Sequence, residues 1–206
     1  MKAFRFLLFV FASSMLVGGL SAASENPAEK LKATVEEALE VVYGDCCRDM
    51  DAEAKQAKVR EVIEASYDFN VIIRRALGRN WNLMNESEQK EVLDLIKRLV
   101  VKAYIDGLSG SERPSVSYGE TLMVTDKRAE VSSKVRLKDQ TVRIVYRLGR
   151  MQNGWQLFDI VAEDISVVSN YRQQFDDHFR RNDGEELIAK LQELLKKEDL
   201  DEEVQL

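Results

Sequence analysis

Between Arg128 and Val161 the chain alternates apolar and polar residues with a period of two, and this constrains its fold more than any other feature. In "KRAEVSSKVRLK", Ala129, Val131, Ser133, Val135 and Leu137 point one way, and Arg128, Glu130, Ser132, Lys134 and Arg136 the other. "TVRIVYRL" repeats the pattern, with Val142, Ile144, Tyr146 and Leu148 inward and Arg143 and Arg147 outward. Successive side chains of a strand lie on opposite faces, so these segments make a sheet with one buried and one wet face. "WQLFDIV" follows the hairpin signal Gln152-Asn153-Gly154 as a further strand, and "VSYGETLMV", Val116 to Val124, precedes them. The short connections imply a small antiparallel four-stranded meander.

The apolar face of such a sheet needs a cover, and the flanking segments supply it at helical spacing. Leu31, Val35, Ala38, Leu39 and Val42 form one stripe, and Val59, Val62 and Ile63 mark a second helix. In "YDFNVIIRRALGRNW", Tyr67 to Trp81, the residues Phe69, Ile72, Ile73, Ala76 and Leu77 share a face that Asn70, Arg74 and Arg75 turn away from. Gly78 then stands where a helix end favours a residue tolerant of positive φ. Asn85, with Glu88 three residues on, reads as the capping start of a long helix. That helix carries Val92, Leu93, Leu95, Ile96, Leu99, Val100, Ala103 and Tyr104, an arc wide enough to be covered on more than one side. After the sheet, Ile165, Val168, Tyr171, Phe175 and Phe179 line one helix. Leu187, Ile188, Leu191, Leu194 and Leu195 line the last, read as ordinary packing. The class is α+β, with helices packed on the sheet's apolar face.

The ends of the chain define its extent. Lys2 and Arg5 precede an apolar run of 15 residues, Phe6 to Leu20, which ends in "SAAS". A membrane span needs about 20 residues, so the run reads as a secretory signal peptide over 1–23, cleaved after Ala23. A retained anchor is the alternative. A single domain is expected over 24–197, followed by a charged, frayed tail over 198–206. Loss of Lys2 and Arg5 lowers the basic count from 30 to 28 against 36 acids, for a net charge of −8. That balance argues against a nucleic-acid partner and against attraction to an anionic membrane surface.

Residues able to do chemistry are scarce. Cys46 and Cys47 are adjacent and are the chain's two cysteines, so neither a loop-stapling disulfide nor a C-x-x-C site is available. The single histidine, His178 in "FDDHFRR", reads as a surface imidazole, and one histidine cannot build a multi-histidine metal site. Asp159, between Phe158 and Ile160, is a candidate general base on a sheet but has no identifiable acid–base partner. No catalytic or metal site and no cofactor is expected.

"YDFNVIIRRALGRNW", "AYIDGL", "WQLFDIVAEDISVVSNYRQQF" and "GEELIAKL" together resemble, in order, the signatures of the MlaC or toluene-tolerance family. The likeness runs from about Tyr67 to Leu195. It departs at Asp164, where the family usually has glycine, and this puts the local turn in question. The resemblance implies a periplasmic phospholipid carrier of the Gram-negative lipid-asymmetry (Mla) pathway, whose helices and cone-shaped sheet enclose a lipid cavity. Its implied partners are phospholipid, an inner-membrane transporter ring that binds lipid and an outer-membrane lipoprotein complex, met transiently by a monomer. The implied cavity-wall candidates are Phe69, Ile72, Ile73, Leu77, Ile96, Leu99, Val100, Tyr104, Val142, Ile144, Tyr146, Phe158, Ile160, Val168, Tyr171 and Phe175. Arg74 and Arg75 are left either to headgroup or partner contact or to solvent. Two other readings stay open: an enzyme on a related cone-shaped fold using Asp159, and a chaperone for acylated proteins.

Overall fold

A computed structural model of the chain describes residues 26–108, 112–137 and 140–197. The expected leader and the expected tail lie outside these residues. Four helices come first: α1 (Pro27–Tyr43), α2 (Ala52–Ser66), α3 (Phe69–Leu77) and α4 (Glu86–Leu108). Then follow β1 (Ser115–Thr125), β2 (Arg128–Leu137), β3 (Gln140–Met151), β4 (Gly154–Ala162) and β5 (Ile165–Ser166), and finally α5 (Val167–His178) and α6 (Gly184–Lys196).

Side-chain oxygens decide where the helices begin. Asn26 accepts from the Ala28 N–H at 3.0 Å and Asp51 from Ala54 at 2.8 Å, each satisfying a donor the helix itself leaves open. The expected capping box forms at α4, where Asn85 accepts from Glu88 N at 3.0 Å and Glu88 Oε2 from Asn85 N at 2.7 Å. Asp183 and Glu186 build the same reciprocal pair at α6. Such a cap contributes about 1 kcal/mol.

The sheet is a meander in the order β1-β2-β3-β4-β5, antiparallel throughout. It has five strands rather than the expected four, because Ala162 and Ile165 pair across a two-residue turn. Both turn residues have positive φ, 45° at Glu163 and 68° at Asp164, which is the hairpin turn matching the twist of its strands. Asp164 therefore occupies a left-handed position that glycine would take at less strain. Ser166 caps α5, accepting from Ser169 N at 3.1 Å. Ile165 accordingly belongs to β5, where it is 63% exposed, and not to the apolar face of α5.

Burial divides into two clusters. The larger is helical and includes Val59, Leu77, Val92, Leu99, Phe175, Leu187 and Leu191. The smaller joins Leu31 of α1 to Ala129, Val131, Tyr146, Leu148 and Trp155 on the sheet. The wide arc of α4 is explained by its neighbours, since α2, α3 and α6 all pack on it. Cys47 enters the helical cluster while Cys46 stays exposed; both thiols are free, with the sulfurs 2.8 Å apart.

Gly78 closes α3 at φ 56°, ψ −128°, and its N–H bonds to the Arg74 carbonyl. A Cβ there would adopt a backbone conformation reserved for glycine and would stand 3.3 Å from Arg172 Nε. Gly78→Ala is expected to cost about 1–3 kcal/mol, which lowers the melting temperature by roughly 2–4 °C per kcal/mol in a chain of this size. An unchanged melting curve would mean that the α3 terminus relaxes freely.

Candidate functional site

Three helices turn the same kind of stripe toward one space. On α3 it is Phe69, Ile72, Ile73 and Ala76, and on α4 Ile96, Leu99, Val100 and Ala103, each set at i, i+3, i+4 and i+7. Val167, Val168, Tyr171 and Phe175 of α5, Leu157 and Ile160 of β4 and Leu191 of α6 complete the wall. The cavity has a volume of about 270 Å³. Val100 lines it yet is 47% exposed, so the cavity opens to solvent beside α4. Among the described residues the one charged member of the wall is Lys97, whose ammonium lies 3.0 Å from Glu64 Oε1.

Of the sixteen residues expected to face a cavity, ten meet here: Phe69, Ile72, Ile73, Ile96, Leu99, Val100, Ile160, Val168, Tyr171 and Phe175. The other six lie elsewhere. Leu77 is fully buried in the helical core, and Tyr104 packs against that core. Tyr146 and Ile144 face the cluster beneath α1, with Val142 half-buried further along β3. Burial raises the Tyr104 hydroxyl above its ordinary pKa, helped by Tyr146, Tyr43 and Tyr118, so this phenol stays neutral and serves as packing.

Phe158 is displaced by a bulge. Leu148 pairs with Leu157 and Arg147 with Asp159, which leaves Phe158 as an extra residue and reverses the alternation. Leu157 and Ile160 take the inward places, and Phe158 packs over Gly149 on the other face, 3.4 Å from where a Cβ would stand. A perfect two-residue period assigns the wrong leucine–phenylalanine partner here. Ala76 and Ala103 were legible as members of the α3 and α4 stripes. Leu191, read as ordinary packing, also reaches the cavity.

The outward arginines of α3 are occupied by rings. The Arg74 guanidinium lies 4.6 Å from the centre of Trp81, and that of Arg75 lies 4.8 Å from the centre of Phe158. Arg172 of α5 donates to the Arg75 carbonyl at 3.1 Å, tying α5 to the end of α3.

Asp159 is 6% exposed and stands behind the cavity wall, not in it. It accepts from Ser166 Oγ at 2.8 Å, Val168 N at 3.2 Å and Arg147 Nη1 at 3.1 Å. These bonds fasten the β4–α5 corner that places Val167 and Val168. His178 is buried at 7% exposure, contrary to the surface position expected from its charged neighbours. Its Nε2–H donates to the Asp183 carbonyl at 3.0 Å, and its ring meets Phe179 edge-on, so it links α5 to the cap of α6. Among the described residues no three His, Cys, Asp or Glu side chains gather into a metal-binding group.

The family model of the MlaC protein matches residues 32–193. A phospholipid-binding protein from Ralstonia solanacearum, solved with a phospholipid bound, has the same fold at a TM-score of 0.69 and 24% identity, over 82% of this chain and 98% of that one. No curated protein matches the sequence. The family match begins in α1 and ends in α6, and so takes in every element that walls the cavity: the chain belongs to the MlaC family.

Proposed function

We propose that this protein binds phospholipid and carries it through the periplasm, as the soluble component of the Mla lipid-asymmetry pathway. The observation that carries the reading is the apolar cavity between α3, α4, α5 and β4 in a chain of this family. The phospholipid held by the similarly folded Ralstonia solanacearum protein supports it. The task is binding and release, not catalysis. Two acyl chains carry on the order of 30 methylenes, each costing about 0.8 kcal/mol to expose to water. A lipid therefore crosses an aqueous space only inside a shield. A wall about as apolar as a bilayer makes exchange nearly neutral, and direction then comes from an outer-membrane lipoprotein complex on one side and an inner-membrane lipid-binding ring on the other. The cavity of about 270 Å³ lies below the roughly 300–1,000 Å³ of small-ligand sites. Admitting two tails thus requires the cavity to widen.

The test is native mass spectrometry, with lipid extraction, of protein gently purified from a Gram-negative periplasm. Phospholipid in a defined stoichiometry is the expected result, with uptake from vesicles by the emptied protein. Lipid-free protein that takes nothing from vesicles would falsify the reading, and co-purified acylated polypeptide would replace it with a chaperone.

A further inference from the structure

Cys46 and Cys47 take no part in the cavity wall; they sit where the chain turns from α1 to α2. Both fall in one short 3-10 turn, Asp45–Cys47. Its backbone bonds are long, with Cys47 N donating to the Gly44 carbonyl at 3.3 Å and Arg48 N to the Asp45 carbonyl at 3.4 Å. The two thiols are placed unequally. Cys46 is exposed, whereas Cys47 is 6% exposed and packs into the helical cluster. Their sulfurs nevertheless stand 2.8 Å apart in a hydrogen bond. One thiol meets solvent and the other meets its neighbour, the arrangement in which an attacking and a resolving thiol act in sequence.

We propose that Cys46 and Cys47 form a reversible thiol–disulfide exchange site, in which Cys46 attacks a small-molecule disulfide and Cys47 then closes the Cys46–Cys47 bond. The Cys46 thiolate displaces one half of the disulfide as a thiol and keeps the other half as a mixed disulfide. The Cys47 thiolate attacks the Cys46 sulfur and releases that second half. The pair loses two electrons and two protons, and the disulfide gains them as two thiols. The site is independent of the lipid-binding reading, although the compartment proposed above is one in which disulfides persist. Adjacent Cα atoms are about 3.8 Å apart across a trans peptide, and ordinary disulfides span roughly 4.4–6.8 Å. The ring therefore closes under strain, which makes it easily reduced and keeps the exchange reversible. A second copy of the chain competes poorly for the Cys46 adduct, because a thiol already in contact acts at a far higher effective concentration. The hydrogen bond to Cys47, chiefly, and the Glu40 carboxylate hold the Cys46 thiol above its ordinary pKa. The reactive thiolate is then scarce at neutral pH, so uncatalysed exchange takes minutes to hours.

Folded, reduced protein is incubated with oxidised glutathione, quenched with acid and followed by intact-mass spectrometry. Wild type is expected to pass through a single glutathione adduct and to finish as a monomer lighter by two hydrogens, which dithiothreitol returns to the dithiol. Cys47→Ala keeps a small apolar side chain in the core and should stop at the adduct and accumulate it. Cys46→Ser should take up glutathione about tenfold more slowly than Cys47→Ala, the factor that a local opening of about 1.4 kcal/mol imposes on its buried thiol. Thermal melts confirm that each variant is folded, and the wild-type course decides the matter even where a variant is not. Wild-type protein that stops at the adduct, that gives chiefly a disulfide-linked dimer or that does not react overturns the proposal. A folded Cys46→Ser protein modified as fast as Cys47→Ala overturns it too, by removing the division between attacking and resolving thiol.

Discussion

Replacing Ala103 with tryptophan is expected to abolish phospholipid uptake and leave the fold intact. Ala103 lines the cavity from α4 and is only half-buried, so a larger side chain has room to enter without splitting the helix from its neighbours. An indole would occupy much of a space of about 270 Å³. Every methylene it displaces returns about 0.8 kcal/mol of exposure to the bound state. Four displaced methylenes, about 3 kcal/mol, lower affinity more than a hundredfold. Filling the cavity also adds contacts, so the melting temperature should hold or rise. Leu187→Ala supplies the opposite case. Leu187 is fully buried in the helical cluster and does not line the cavity, so its truncation should cost about 2–5 kcal/mol of stability and spare uptake at temperatures where the protein is folded. Vesicle extraction and thermal melts, run side by side, read both. A tryptophan variant that loads phospholipid like wild type would move the binding site away from this cavity.

Asp159→Ala is expected to be the most destabilising single change at a polar residue. It removes the acceptor for Ser166 Oγ, the Val168 N–H and Arg147 at once, inside a corner that water barely reaches. The Val168 N–H is then buried without a partner, and such a loss costs about 1–3 kcal/mol on its own. Breaking a buried ion pair typically costs about 3–5 kcal/mol, but the Arg147 side chain is 38% exposed and regains water. We expect about 2–4 kcal/mol in total and a fall in melting temperature of roughly 4–16 °C. Uptake by the surviving folded fraction should stay close to wild type, because the carboxylate stands outside the cavity wall. The reverse pattern in Asp159→Asn, with the fold unharmed and a turnover lost, would favour an enzyme instead.

How far the sequence could be read depended on what each signal measures. The α3 and α4 stripes repeat at the spacing of a helix surface, so their apolar faces were legible, including Ala76 and Ala103. The strands were legible for the same reason at a period of two, and the Asn85 and Glu88 pair marked the start of α4. His178 was misplaced because its neighbours Asp176, Asp177, Arg180 and Arg181 suggest a wet helix end. Its ring is held instead in the α5–α6 connection, bonded to the Asp183 carbonyl and edge-on to Phe179.

The sequence by itself determined the α+β class, the meander, the capped helices and the apolar face of each element, because these follow from backbone periodicity and local hydrogen bonding. Only the tertiary structure decided which of those faces meet around a space and which meet each other. A side chain against a cavity and one in a solid core need the same apolarity, so Ile72 and Leu77 look alike along the chain although only Ile72 lines the cavity. The inward place of Leu157 depends on one extra residue in β4, a register set by pairing with β3 and not by anything within "WQLFDIV". Lys97 looks like any other charge on a long helix, and its place in the wall of an apolar cavity, paired with Glu64 of α2, exists only once α2, α3 and α4 have packed together.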